Sequence, residues 1–176
     1  MSATQSDAIA LLKADHRKVE ELFEKFGAAK GGDKKETLVK QICTELSVHT
    51  IIEEEIFYPS CRGHMPEDLL DEALVEHDGA KVMIAELEAG APDEEFYDAQ
   101  VKVLSEEIEH HVEEEEKPSE GIFAKARAAK LDLTALGAKL LARKEQLAAQ
   151  FKARGLPTPE THTFTEHELD KAATKA

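Results

Sequence analysis

Four histidines, His16, His49, His77 and His111, each fall on the apolar stripe of a helical pattern, and two of them carry a glutamate four residues later. The pairs are His49/Glu53 in HTIIEEEIFYP and His111/Glu115 in HVEEEEK. Residues four apart share a helical face, so each pair directs an imidazole nitrogen and a carboxylate oxygen the same way. Unpaired charge in a helical core is expensive, and a bound cation cluster removes that expense. Imidazole and carboxylate donors suit iron, manganese and zinc, whereas the lack of thiolates argues against copper(I), iron–sulfur clusters and structural zinc. A carboxylate can bridge two metals and a neutral imidazole does not. Glu53 and Glu115 are therefore the candidate bridges, and the four histidines the terminal ligands, of a non-haem site holding two Fe ions. Six protein ligands are few for two six-coordinate irons. Water, hydroxide, oxo or exogenous ligands would fill the remainder, and open positions are where O2, peroxide or nitric oxide would bind.

The elements that must position these residues read as helices of three-four periodicity. The first starts at Ser6 or Asp7, a good N-cap position, runs to about Phe26 and carries the stripe Ile9, Leu12, His16, Val19, Phe23, Phe26. The second carries Val39, Ile42, Leu46, His49, Glu53, Ile56 and is expected to end at Tyr58-Pro59. The third starts at Pro66-Glu67-Asp68 and carries Leu70, His77, Ala80, Ile84, Leu87, with Ala73 or Leu74 between. The fourth carries Val101, Leu104, Ile108, His111, Glu115, which puts His111 rather than His110 on the inner line. His16 lies nine residues after Asp7, His49 ten before Pro59, His77 ten after Glu67 and His111 ten before Gly121. In an up-down-up-down bundle those ends lie together, so all four histidines would sit roughly 15 Å in from one end.

The neighbouring acidic residues are less decided. Glu54 or Glu114 could act as an outer partner or an alternate ligand, whereas Glu55, Glu113 and Glu116 read as a solvated acidic face. Tyr58 is expected near the shared bundle end in a capping hydrogen bond. The Asp15-His16 contact is a weak signal because adjacent helical residues point apart. His64 sits in a connection, and His162 and His167 lie in the tail as non-ligands. From Ile122 to about Arg154 the chain is helical in propensity with a break near Leu131–Asp132, and from Gly155 onward it reads as a flexible tail.

Composition narrows the function classes. The chain has 176 residues with a formal charge of −15, which disfavours nucleic acid and anionic membrane partners. No stretch approaches the apolar length of a membrane span, and the amino-terminal residues read as a helix start rather than a signal peptide. Cys43 and Cys61 lack metal-site spacing and read as buried free thiols, which together point to a cytoplasmic protein.

The chain resembles the hemerythrin-like family, specifically its bacterial HHE cation-binding domains, over about residues 7–125. The likeness rests on DHRKVEELF, HTIIEEEIFYP, EHDGAK and HHVEEEEK. It implies an all-α fold, a four-helix bundle around a di-iron centre bridged by two carboxylates and an oxo or hydroxo group. It also implies O2 binding or sensing, or responses to iron, nitric oxide or peroxide. The implied division is a domain over 1–125, a C-terminal helical extension over 126–154 and a tail over 155–176. Oxygen carriers of this family place a fifth histidine where this chain has Lys81, and a Phe-Pro where it has GIFAKAR. The leading expectation is a di-iron protein that binds O2 or a related small oxidant in sensing, storage or stress protection. The alternatives are a peroxidase- or catalase-like or nitric-oxide-reacting enzyme at the same site, and a metal-free helical interaction module.

Overall fold

The computed structural model describes residues 7–164, and every regular element among them is helical. Helix α1 spans Ala8–Ala28, with the Asp7 carboxylate accepting the Ala10 amide at 2.8 Å to cap its amino end. Ser6, the alternative cap, lies outside the described residues, as does everything beyond Phe164, His167 included. Helix α2 spans Gly32–Ile52 and passes directly into a π-helical turn, Glu53–Phe57, and a short helix α3, Tyr58–Cys61. Helix α4 spans Glu67–Ala89, starting where Pro66 was expected to start it, and α5 spans Tyr97–Glu116.

The expected end of the second helix at Tyr58-Pro59 is corrected here: the helical path continues to Cys61. In the π turn the Tyr58 amide donates to the Glu53 carbonyl, five residues back, so one extra residue is accommodated. Pro59 has no N–H to give, and directly after a widened turn that absence is tolerated. The single periodic stripe read through Ile56 therefore slips by one residue beyond Glu53.

Helices α1, α2, α4 and α5 pack around two apolar clusters. One holds Ile9 and Leu12 of α1, Val48 and Ile52 of α2, Phe57, and Leu70 and Ala73 of α4. The other holds Val19 and Leu22 of α1, Val39 and Ile42 of α2, Ile84 and Leu87 of α4, and Val101 and Leu104 of α5. Along α1 and α4 the chain passes from the first cluster to the second, and along α2 it passes the other way, which is compatible with an up-down-up-down bundle. The four histidines occupy the level between the clusters. A polar layer with apolar walls on both sides is desolvated, which sharpens every electrostatic contact inside it.

Beyond α5 the chain turns at Gly121, where a Cβ would overlap the carbonyl oxygens of Glu114 and Glu115. That close approach needs glycine and lets α6 (Ile122–Ala128) fold back over the bundle end, burying Ile122 and Phe123. The helical run then breaks at Lys130, which takes φ 56°, and restarts at α7 (Leu133–Arg154), capped by Asp132 accepting from Ala135. Leu140, Leu147 and Phe151 of α7 join the first cluster, so this helix lies against the bundle along α1 and α2. Cys43 and Cys61 are buried and unbridged. No helix among the described residues is long and apolar enough to cross a membrane.

Candidate metal centre

The six residues singled out by spacing meet at one level. His16, His49, His77, His111, Glu53 and Glu115 are each no more than 5% exposed. The His16 and His49 Nε2 atoms lie 3.0 Å apart, and those of His77 and His111 lie 3.2 Å apart. Between the two pairs stand the carboxylates. Glu53 Oε2 is 3.1 Å from His49 Nε2 and 3.4 Å from His77 Nε2. Glu115 Oε2 is 3.4 Å from His16 Nε2 and 3.7 Å from His111 Nε2. Two overlapping donor groups result, His16/His49/Glu53/Glu115 and Glu53/His77/His111, with Glu53 in both.

The outer nitrogens explain which way the rings face. His16 Nδ1 meets Glu116 at 2.8 Å, His77 Nδ1 meets Glu54 at 3.0 Å, and His111 Nδ1 meets Glu76 at 2.7 Å. A carboxylate on Nδ1 favours the tautomer protonated there and leaves the Nε2 lone pair facing inward. His49 differs. Its Nδ1 stands 3.7 Å from Asp15, too far for a hydrogen bond, and Asp15 is held by Lys144 of α7. Inward lone pairs and carboxylate oxygens therefore confront one another across about 3 Å in a dry core. Glu53 Oε1 and Glu115 Oε2 have no hydrogen-bond partner among the described residues although both are buried. Six donors that repel unless a cation or protons stand between them are placed to bind metal.

Without metal, protons must serve. Burial opposes protonation of His49, but Glu53, Asp15 and Glu115 outweigh it and raise its pKa to about 10. Burial likewise opposes the charge on His77, and Glu53 and Glu54 outweigh it to give about 9. Burial pushes the Glu53 carboxyl up, yet the adjoining His49 and His77 imidazoles hold it well below the usual carboxylate range. Metal uptake must therefore displace protons from this core.

Several participants escaped the spacing argument. Glu116, expected on a solvated face, bonds His16 and is itself gripped by Lys13 and Arg17. Glu76 was not singled out at all, yet it bonds His111 rather than its sequence neighbour His77. Asp15 approaches His49 of α2 instead of His16 beside it. Tyr58, expected at the bundle end, is 1% exposed and sits inside the site. Its hydroxyl donates to Glu115 Oε1 at 2.9 Å and lies 3.3 Å from His77 Nε2. Burial, then Glu115 and Glu53, push that phenol well above its ordinary range, so it keeps its proton. Phe123 stacks on His16 with ring centroids 5.7 Å apart. His110 turns outward with 62% of its side chain exposed, and Glu55 pairs on the surface with Arg143. Lys81 does not enter the donor cluster; its ammonium bonds Glu54 at 2.9 Å and Asp78 at 3.0 Å. His64 and the His162 side chain are exposed.

This geometry meets an independent comparison of sequences. The model of the family described as hemerythrin HHE cation binding domain matches residues 7–118, the stretch that supplies every donor above. The chain belongs to the hemerythrin HHE cation-binding domain family. A crystal structure of an HHE cation-binding domain-containing protein from Mycobacterium kansasii shares the helical fold with this HHE domain. Its TM-score is 0.70 at 24% identity, covering 86% of this chain and 95% of that one. A DNA nickase of Nostoc sp. (strain PCC 7120 / SAG 25.82 / UTEX 2576) is 27% identical over 106 residues, 60% of this chain. The chain matches only 30% of that nickase's length.

Proposed function

We propose that this HHE domain holds two iron ions between α1, α2, α4 and α5 and binds O2 or a related small oxidant there, for sensing, storage or stress protection. The supporting observation is the convergence of four imidazole Nε2 atoms and two carboxylates, two of whose buried oxygens lack any other partner. His16 and His49 would hold one ion and His77 and His111 the other, with Glu53 and Glu115 shared between them. Bound iron would supply one-electron redox chemistry and open positions for a small exogenous ligand.

The chain's own residues decide how such a site behaves. Glu116, Glu54 and Glu76 orient three of the four imidazoles from outside. The Tyr58 hydroxyl holds one oxygen of Glu115 and turns the other toward the histidines. A cavity of about 20 Å³ touches all four histidines and is walled by Val19, Leu46, Ile108 and Val112. A space of that size admits one water-sized molecule. Lys81, committed to Glu54 and Asp78, adds no donor to the His77/His111 side, and a small ligand would complete the coordination there.

Tyr58 favours a second reading, turnover of peroxide at the same centre, because its Oη carries a proton within the site. Oxygen reactivity separates the readings. Iron-loaded protein reduced with dithionite and exposed to air should regain its near-ultraviolet absorption reversibly if it binds or senses an oxidant. Sustained peroxide consumption that is lost in Tyr58→Phe would favour the enzyme. Nicking of DNA has no support here beyond the name of a relative mostly unmatched by this chain, and a net charge of −15 disfavours it.

A further inference from the structure

The segment after α7 does not leave the bundle. Leu156 packs against both apolar clusters, and the chain then runs across α2 and α4 to Asp78. Asp78 is 1% exposed, and its Oδ2 accepts from the His162 amide at 2.7 Å, the Thr163 amide at 2.6 Å and the Thr163 hydroxyl at 2.8 Å. Its other oxygen accepts from Lys81. Lys81 also bonds Glu54, and Glu54 bonds His77 Nδ1. One polar chain thus joins the C-terminal segment to a donor of the metal centre.

Under this segment lies a chamber of about 570 Å³. Ile51 and Leu74 form its apolar floor, and Pro157 and Pro159 its roof. Thr50 is the decisive wall, because it borders both this chamber and the small cavity that touches the four histidines. The charged groups lining it are Glu54, Glu55, Glu160 and Lys81, and the ammonium is already spent on Glu54 and Asp78. Such a lining disfavours small anions and suits small uncharged molecules.

We propose that this chamber is the passage by which small uncharged molecules reach the metal centre, and that segment 156–163, latched on Asp78, is its gate. The proposal rests on the metal reading above. A gate needs a low-stability element, and this roof is mostly exposed and irregular. Its latch is concentrated on one buried carboxylate, so it can be released without disturbing the bundle.

The double substitution His162→Pro/Thr163→Pro removes all three donors that the segment gives Asp78, leaves the Lys81 contact, and touches no core residue. Nitric oxide, an uncharged probe, is mixed with the reduced, iron-loaded full chain freed of excess reductant, and its binding is followed by stopped-flow absorption. Wild type should admit it slowly, and the double variant should bind it about tenfold faster, the scale expected for losing charged hydrogen bonds. Thr50→Ala, which thins the shared wall, should also accelerate it, whereas Thr163→Ser, which keeps every donor, should not. A nitric oxide rate unchanged in both the latch and the wall variants overturns the proposal. A wild-type chain that takes up no iron contradicts the metal reading instead. The latch is then decided in the metal-free chain by amide hydrogen exchange at His162 and Thr163, where protection supports it and free exchange overturns it.

Discussion

Glu54 offers a test that separates the two halves of the proposed centre. Its carboxylate bonds His77 Nδ1 at 3.0 Å and Lys81 at 2.9 Å, and none of its hydrogen bonds among the described residues reaches His16 or His49. Glu54→Gln keeps the size of the side chain but removes the charge that holds the His77 ring and its tautomer. Loss of such an outer partner weakens metal affinity by about 10- to 100-fold. That range corresponds to about 1.4–2.8 kcal/mol. The loss should fall on one ion of the pair, the one served by His77 and His111, while the other keeps its affinity. Stepwise competition of the metal-loaded protein against a coloured chelator resolves the two affinities. Glu55→Gln is the control, since Glu55 pairs with Arg143 at the surface and makes no hydrogen bond to a histidine among the described residues. Equal weakening of both ions, or an equal effect of the control, would refute the reasoning.

Three other outcomes follow from the same geometry. Tyr58→Phe leaves Glu115 Oε1 without its 2.9 Å donor, and urea unfolding of the metal-free protein should show a loss of about 1–3 kcal/mol. Phe123→Ala removes a ring that is 3% exposed and stacked on His16; it should cost about 3–5 kcal/mol in the same assay while the metal content stays unchanged. The folded-state pKa values of His49 and His77, about 10 and about 9, lie above the ordinary imidazole value of 6.5. Their protonation therefore stabilises the metal-free fold fully below pH 6.5, and that contribution is lost as pH rises through 9 to 10. Thermal melts should show the metal-free protein weakening across that window and the metal-loaded protein nearly level; parallel curves would contradict the assignment.

Much of the fold was legible because each donor sits on the stripe of its own helix. Periodicity places His16, His49, His77 and His111 on inner faces, and the spacing of Glu53 and Glu115 adds the carboxylates. Relations between helices were not legible in the same way. Glu76 adjoins His77 in sequence but serves His111, and Asp15 adjoins His16 but approaches His49. Such pairings depend on how far neighbouring helices rotate against one another, which one helix's pattern does not encode. Glu116 looked like surface because the run EEEE offers no apolar contrast, although Lys13 and Arg17 of α1 stand ready to hold it.

Tyr58 was misplaced for a local reason. Pro59 reads as a helix end, and the π turn that carries the helix past it shifts the register by one residue. A proline inside an otherwise helical apolar run was the available signal, since π turns cluster at functional sites. The segment expected as a tail was equally opaque. Its described part holds Leu156 against the core and two amides on Asp78, contacts that a Pro- and Thr-rich composition does not announce.

Six buried donors are proposed to hold a pair of metal ions. Metal content per chain tests this, measured by mass spectrometry on protein produced with iron and purified without chelator, beside the Glu53→Ala variant. Glu53 belongs to both donor groups, so two irons per wild-type chain and the loss of both in the variant are expected. A folded wild-type chain with no bound metal, or a variant that still holds two irons, would contradict it.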